Sequence, residues 1–361
     1  MAASNTNTNI HSTTSRLISK GNTMIGTHSG TFHCDEALAC FMLKCLPEYK
    51  DAKIVRSRDP KVLDPLPILV DVGAVYDPAK NRFDHHQRGF SEVFGNGFNT
   101  KLSSAGLIYK HFGKKVLSAL LPNVGEGETL DKLYMKIYGS FIQEIDGIDN
   151  GVLIKDGSQP QNYRISTDLS SRVRYLNPAW NEDSGDIDER FLKAVELTGQ
   201  DFSQCVQRCA KVWLPARELV AEAIKNRFKI HESGSVVLFD SYCSWQSHLF
   251  EIEKEQKLET GSKPPALLYV LYPSGGKWRI QAIAEEEGSF TSRLPLPEPW
   301  RGVRGEELSK LTGIPGCVFA HASGFIGGND TKEGVLAMAE ASLKAAAEEP
   351  AKKKPKTNSS A

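Results

Sequence analysis

Ile68-Leu-Val-Asp-Val72 is apolar at four of its five positions, so a strand there has to be covered on both faces. A chain with such a strand folds as stacked layers, with helices on both sides of a mostly parallel sheet. The surrounding pattern agrees. Met24–Thr27 and Lys53–Arg56 read as further strands. Asp35–Leu46 carries Leu38, Phe41, Met42 and Cys45 at helical spacing until Pro47 stops it. Ser103–Phe112 reads as a helix halted near Gly113, and Leu130–Ile145 as another running into Asp146. The expected class is therefore α/β. From Asp186 to about Arg227 the periodicity is helical throughout, with Phe191, Val195, Val206, Val212, Leu219 and Ile224 as core. Strand signals return at Val236–Phe239, Leu267–Leu271, Trp278–Ile283 and Cys317–Ala320. A last helix is expected over Thr331–Ala347, opened by Asp330 with Glu333 three residues on. The expected division is an α/β domain over 24–185, a helical connector over 186–230 and a smaller α+β domain over 231–347.

The two ends fall outside that division. Residues 1–23 are rich in Ser, Thr and Asn and free of acids, which suits either disorder or a transit peptide. The tail 348–361 contains Pro350-Ala-Lys-Lys-Lys-Pro-Lys356, which cannot fold and resembles a nuclear-import signal. Overall, 44 basic side chains balance 44 acidic ones, which excludes a wholly basic nucleic-acid binder and leaves only local basic surface. No apolar run approaches the roughly 18 residues of a membrane span. The seven cysteines include no C-x-x-C pair, which argues against a disulfide framework and a four-cysteine zinc site, and for a reducing compartment.

Four segments in the first 150 residues concentrate metal-binding side chains at strand and helix ends. They are His28-Ser-Gly-Thr-Phe-His33-Cys-Asp35-Glu36, Val70-Asp71-Val72-Gly73, Phe83-Asp84-His85-His86 and Glu144-Ile-Asp146-Gly-Ile-Asp149-Asn-Gly151. In an open α/β sheet, groups at the carboxyl ends of the strands converge on one crevice. Imidazoles and carboxylates together suit Mn²⁺, Fe²⁺, Co²⁺ or Zn²⁺. A carboxylate with two free oxygens can bridge a pair of ions, as two-metal phosphoester hydrolases require.

Asp84-His85-His86, the His28–Asp35 segment and the Val70-Asp71 strand end resemble the DHH phosphoesterase superfamily, which includes RecJ nucleases, oligoribonucleases and manganese pyrophosphatases. More closely, five stretches resemble the melanocyte-proliferating-gene family: 26–36, 83–89, Lys101-Leu-Ser-Ser-Ala-Gly106, 145–151 and Leu176-Asn-Pro-Ala-Trp180. That family is regarded as 3′–5′ RNA exonucleases of nucleus and mitochondrion. The resemblance implies a DHH-type catalytic domain and two divalent ions, Mn²⁺ being the expected pair. It implies that His28, His33 and Asp71 hold one ion. Asp35, Asp71 and His85, with Asp146 or Asp149, would hold the other. Asp149-Asn-Gly is similar to the superfamily's Asp-Thr-Gly, which favours Asp149. By the same resemblance His86 meets substrate phosphate and Asp84 orients a neighbouring histidine. This chain has His33 where the superfamily usually has Asp.

The resemblance also implies a C-terminal substrate-binding domain with a glycine-rich turn, for which His321-Ala-Ser-Gly-Phe-Ile-Gly327-Gly328 is the candidate. Lys277-Trp-Arg279 and Trp300-Arg-Gly-Val-Arg304 combine cations with aromatics, as single-strand binding needs. Arg172 and Arg174 are similar candidates, and Ser103 and Ser104 open a helix either as caps or around a phosphate. The expected function is metal-dependent phosphodiester hydrolysis, two-metal and in-line, on RNA from its 3′ end, in nucleus or mitochondrion, with the cytoplasm as the alternative site. A phosphatase of small nucleotides or pyrophosphate is one alternative. A non-catalytic metal-containing binding protein is the other.

Overall fold

A computed structural model of the chain describes residues 23–153, 163–183, 185–256 and 266–348. The N-terminal segment, apart from Thr23, and the basic run Pro350–Lys356 lie outside the described residues. The chain divides into two units, one ending at Lys211 and the other beginning at Val212.

The first unit is built on β1 (Met24–Thr27), β2 (Lys53–Arg56), β3 (Ile68–Val70), β4 (Tyr76–Asp77) and β5 (Arg82–Phe83), in the order β2-β1-β3-β5-β4. Four strands run parallel, and β4 returns antiparallel at the edge. Gly26 in β1 has no room for a side chain: a Cβ there would stand 2.5 Å from Leu69 Cδ2 and 2.8 Å from Leu66 Cδ1. The helices are α1 (Cys34–Lys44), α2 (Pro60–Leu63), α3 (Ser104–Leu120), α4 (Glu128–Ile137), α5 (Gln143–Asp149), α6 (Leu169–Arg174) and α7 (Ile187–Arg208). A hairpin of β6 (Val93–Gly95) and β7 (Phe98–Lys101) precedes α3.

Two expectations change here. Helix α3 does not halt at Gly113 but runs on to Leu120. That glycine serves packing, since a Cβ would lie 2.8 Å from Tyr134 Cε2 and 3.0 Å from Tyr109 Cδ2. The single helix expected over Leu130–Ile145 is instead α4 and α5, joined by a π turn at Tyr138–Ile142. The wider turn rotates the faces that follow it, so simple helical spacing does not carry through to Asp146 and Asp149.

The second unit contains α8 (Leu214–Lys225), α9 (Arg227–Ile230), β8 (Val236–Leu238), α10 (Gln246–Glu255), β9 (Tyr269–Ser274), β10 (Lys277–Ala282), α11 (Gly305–Thr312), β11 (Cys317–Ala320), β12 (Ile326–Asn329) and α12 (Lys332–Glu348). Its sheet order is β11-β12-β10-β9-β8, antiparallel except for β8 beside β9. Along β9, Tyr269 and Leu271 pack with Val335 and Met338 of α12. Val270 and Tyr272 pack with Val220, Ile224 and Leu249 on the other face. This alternation covers the sheet on both sides. Among the described residues, no helix is long and apolar enough to cross a membrane.

Two substrate-side expectations are corrected by this sheet. Gly327 and Gly328 are not in a turn but in β12, paired with β10 on one side and β11 on the other. A Cβ on Gly327 would meet Leu296 Cδ1 at 2.8 Å, and one on Gly328 would meet Trp278 O at 3.1 Å, so close packing explains both glycines. The turn itself is centred on Gly324, with φ 74°. Trp300 is buried in the core and offers no face for base stacking.

Candidate metal centre

His28 follows the last residue of β1, Asp71 the last residue of β3, and Asp84-His85-His86 the last residue of β5. These three strands are parallel neighbours, so the groups leave the sheet along one edge. Asp71 stands there in the left-handed region, φ 55°, which ends the strand two residues early. Aspartate tolerates that conformation better than most residues, and strain of this kind gathers at functional sites. Its amide donates to Phe83 O at 3.1 Å. Asp84 is buried and holds the next turn: Oδ2 accepts from Ala74 N at 2.6 Å, and Oδ1 accepts from His86 N at 3.0 Å. Oδ1 also lies 2.8 Å from His86 Nδ1, which fixes a ring whose side chain is 60% exposed.

Three groups of potential ligands converge: His28, His33, Glu36 and Asp71; Asp71, His85 and His86; Asp35, His85 and Asp149. Within each, one ligand atom per residue lies within 4.8 Å of the others, close to the spread of ligands that share one ion. Asp71 belongs to two groups, and His85 likewise. His28 Nε2 is 3.0 Å from Glu36 Oε1 and 3.3 Å from Asp71 Oδ2. His85 Nε2 is 3.1 Å from Asp149 Oδ2 and 3.4 Å from Asp71 Oδ1. Yet His28 Nε2, His85 Nε2 and Asp35 Oδ1 are buried without an aligned hydrogen bond. Buried polar atoms that face one another without bonding suit a shared cation. His28 Nδ1 lies 3.2 Å from both Ser29 O and Arg58 Nη2. A guanidinium only donates and a carbonyl only accepts, so in the tautomer with the proton on Nδ1 that proton goes to Ser29 O and Nε2 turns a lone pair to the centre.

The electrostatics say the same. Burial, then repulsion from Asp71 and Asp149, holds Asp35 well above the ordinary carboxyl range. Burial also raises Asp149, although His85 opposes it. Burial pushes the other way on Asp71, but the His28 and His85 imidazoles beside it outweigh burial and lower its carboxyl. Burial would lower His28, yet Asp71 and Glu36 raise it to about 10. Four acidic side chains thus crowd a closed site with imidazoles as their partners. Cations relieve that repulsion, and mixed nitrogen and oxygen donors fit a divalent transition ion.

Sequence reading placed Glu36 in the first segment but in neither ligand set. Its carboxylate also accepts from His33 N at 2.8 and 3.0 Å, so it braces the first loop as well. The signal was present as an acid three residues past a helix start. Asn177 was missed. It exchanges two hydrogen bonds with the Phe32 backbone, 3.0 and 2.9 Å, and ties the Leu176–Trp180 stretch to the His28–His33 loop.

Asp146 is not brought to the cluster, whereas Asp149 is. The Asp146 carboxylate is fully buried and accepts from Ser103 N (2.9 Å), Ser103 Oγ (2.7 Å) and Tyr138 OH (3.0 Å). Gly106 makes room for it, since a Cβ there would stand 2.3 Å from Asp146 Oδ1. Ser103 is the N-cap residue of α3, as one of the two expectations had it, but its side chain makes no cap hydrogen bond, and both serines are buried against carboxylates. Ser104 Oγ donates to Asp71 Oδ1 at 3.1 Å and Ser104 N to Asp35 Oδ2 at 3.2 Å. The positive end of α3 therefore serves the chain's own carboxylates.

A groove of about 1240 Å³ opens beside the centre, with His33, His86, Asp149, Ser171 and Arg174 among its lining. Arg172 does not line it and pairs with Asp201. In the second unit, Lys277 pairs with Asp330 at 2.7 Å, and Arg279 lies over the Phe319 ring, 5.6 Å from its centroid. His321 is exposed, with Nδ1 2.9 Å from Ser323 Oγ.

A family model described as MYG1_exonuc, Uncharacterised protein family (UPF0160), matches residues 24–343. The MYG1 exonuclease of Homo sapiens is 50% identical over 327 residues, 88% of this chain and 85% of that protein. The MYG1 protein of Dictyostelium discoideum is 49% identical, covering 87% of this chain and 94% of its own length. The MYG1 protein YER156C of Saccharomyces cerevisiae is 45% identical, covering 91% and 98% respectively.

Proposed function

This chain belongs to the MYG1_exonuc family, and from that premise together with its carboxylate–histidine centre we propose that it is a metal-dependent phosphodiester hydrolase of the DHH type, acting on RNA as a 3′–5′ exonuclease. The observation that carries the reading is Asp71, a buried carboxylate in left-handed backbone that belongs to two converging ligand groups. His28, His33, Glu36 and Asp71 would hold one divalent ion, and Asp35, Asp71, His85 and Asp149 a second, with Mn²⁺ the expected metal. Such ions supply Lewis acidity for a phosphoryl group and its attacking water.

The chain's own groups do the rest. Asp84 accepts from His86 Nδ1 and stabilises the imidazolium form, in which Nε2–H donates to a phosphate oxygen from the groove side. Ser104 and the start of α3 steady Asp35 and Asp71 and so keep their oxygens in place. Arg174 supplies a cation along the groove. The groove's volume of about 1240 Å³ exceeds the roughly 300–1,000 Å³ typical of small-molecule sites, which favours a polymer over pyrophosphate. The test is to incubate metal-reconstituted protein with end-labelled RNA, DNA and small phosphoesters, with and without chelator. Stepwise shortening of RNA from its 3′ end, abolished by chelator, is expected. Activity indifferent to chelator, or confined to small phosphoesters, refutes the reading.

A further inference from the structure

The groove beside the centre has a second character. Val152, Leu153 and Ile165 line it, and are 51%, 69% and 47% exposed. Ile148, 43% exposed, joins them next to Asp149. Exposed aliphatic side chains scattered singly need no explanation, but four gathered in one concave site do. The same groove holds His33, His86 and Asp149 near the centre, and Ser171 and Arg174 along its wall.

We propose that Val152, Leu153 and Ile165 form a nucleobase subsite, which takes the base of the nucleotide whose phosphate lies at the metal centre. The inference rests on the hydrolase reading above. Its ligand must be anionic at one end, to meet the cation-binding centre and Arg174, and flat and apolar on one face, to cover the aliphatic shelf. A nucleotide has both properties, joined by a sugar whose hydroxyls can meet Ser171. Pyrophosphate would leave the shelf wet. An acyl phosphate would cover it but leave the polar groups beyond the phosphate unpaired. Aliphatic side chains offer no donors or acceptors to base edges, so the subsite accepts any base and suits an enzyme that moves along a strand regardless of sequence.

The test compares ligands that differ only in the base. Calorimetric titration of the full-length Mn²⁺-loaded protein with AMP and with ribose 5-phosphate should show AMP binding about tenfold more tightly. A Leu153→Asn, Ile165→Asn double variant, changed at exposed positions, should bring that ratio close to one while metal content and far-ultraviolet spectrum stay those of the parent. Equal affinities in the parent, no AMP binding up to millimolar concentration, or a ratio that survives in the variant each overturns the subsite. Octyl phosphate displacing AMP at equal affinity also overturns it, by showing a general apolar slot. If RNA is cleaved but the AMP preference survives the double substitution, the subsite falls and the hydrolase reading stands. If AMP preference is present and lost as expected but no phosphodiester is cleaved, the subsite stands and the hydrolase reading falls.

Discussion

Asp146→Asn isolates the carboxylate that anchors the start of α3. Burial raises its pKa from the ordinary 3.8 to about 7, against the hydrogen bonds from Ser103 and Tyr138 that favour the charged form. The folded chain therefore keeps this proton between about pH 4 and pH 7, where the unfolded chain releases it. A folded pKa raised above the unfolded value stabilises fully below the unfolded value, and that stabilisation drains away as pH rises to the folded one. The rise corresponds to about 4 kcal/mol. Asparagine fills the same space and can still accept from Ser103, but it does not titrate. At pH 4 the variant should be less stable by about 1 kcal/mol, one imperfect hydrogen bond at Tyr138. Between pH 4 and pH 8 it should gain on the parent by about 4 kcal/mol, and overtake it before neutrality. The assay is hydrogen exchange of α1 and α3 amides in chelator across that range. Titrations in the metal centre are common to both proteins and cancel in the difference. A difference that stays flat with pH, or grows in the parent's favour, refutes the assignment of this proton to Asp146.

Three further outcomes follow from the same geometry. Asp71→Asn should lose metal from both ligand groups and most activity with it, as elemental analysis and an end-labelled RNA assay would show; normal metal content would remove Asp71 from the bridge position. His86→Ala should keep metal content near normal and lower turnover about a hundredfold, whereas His85→Ala should lose metal; equal metal loss in both would show that the two rings have been given the wrong roles. Arg279→Ala should weaken binding of oligonucleotides much more than of a generic small phosphodiester at one fixed salt, and an equal effect on both would show that the second unit does not engage a strand.

Much of the site was legible because its groups follow strand ends directly. A strand apolar at nearly every position announces a buried parallel sheet, and the residue after it must emerge at the carboxyl edge. His28 and Asp71 needed no more than that, whereas no strand was expected at Arg82–Phe83 and the Asp84–His86 triplet stood out by its resemblance to the superfamily motif. Helical spacing alone could not choose between Asp146 and Asp149, because residues three apart on one helix share a face. Local pattern also misread the glycines. Gly113, Gly327 and Gly328 look like breaks or turns in a linear chain, but each is held by an aromatic, aliphatic or backbone neighbour remote in sequence.

What the amino-acid sequence determined by itself is the layered α/β class and the edge of the sheet where imidazoles and carboxylates gather, since periodicity and strand ends are local properties. What the tertiary structure decided is the division of labour among those groups. Ser103 and Ser104 look alike in sequence, yet one anchors Asp146 and the other holds Asp71 and Asp35. Glu36 reads as an ordinary helix-start acid until His28 Nε2 is found 3.0 Å from it. Such roles depend on which oxygen meets which nitrogen across the folded chain, and no local rule carries that distance.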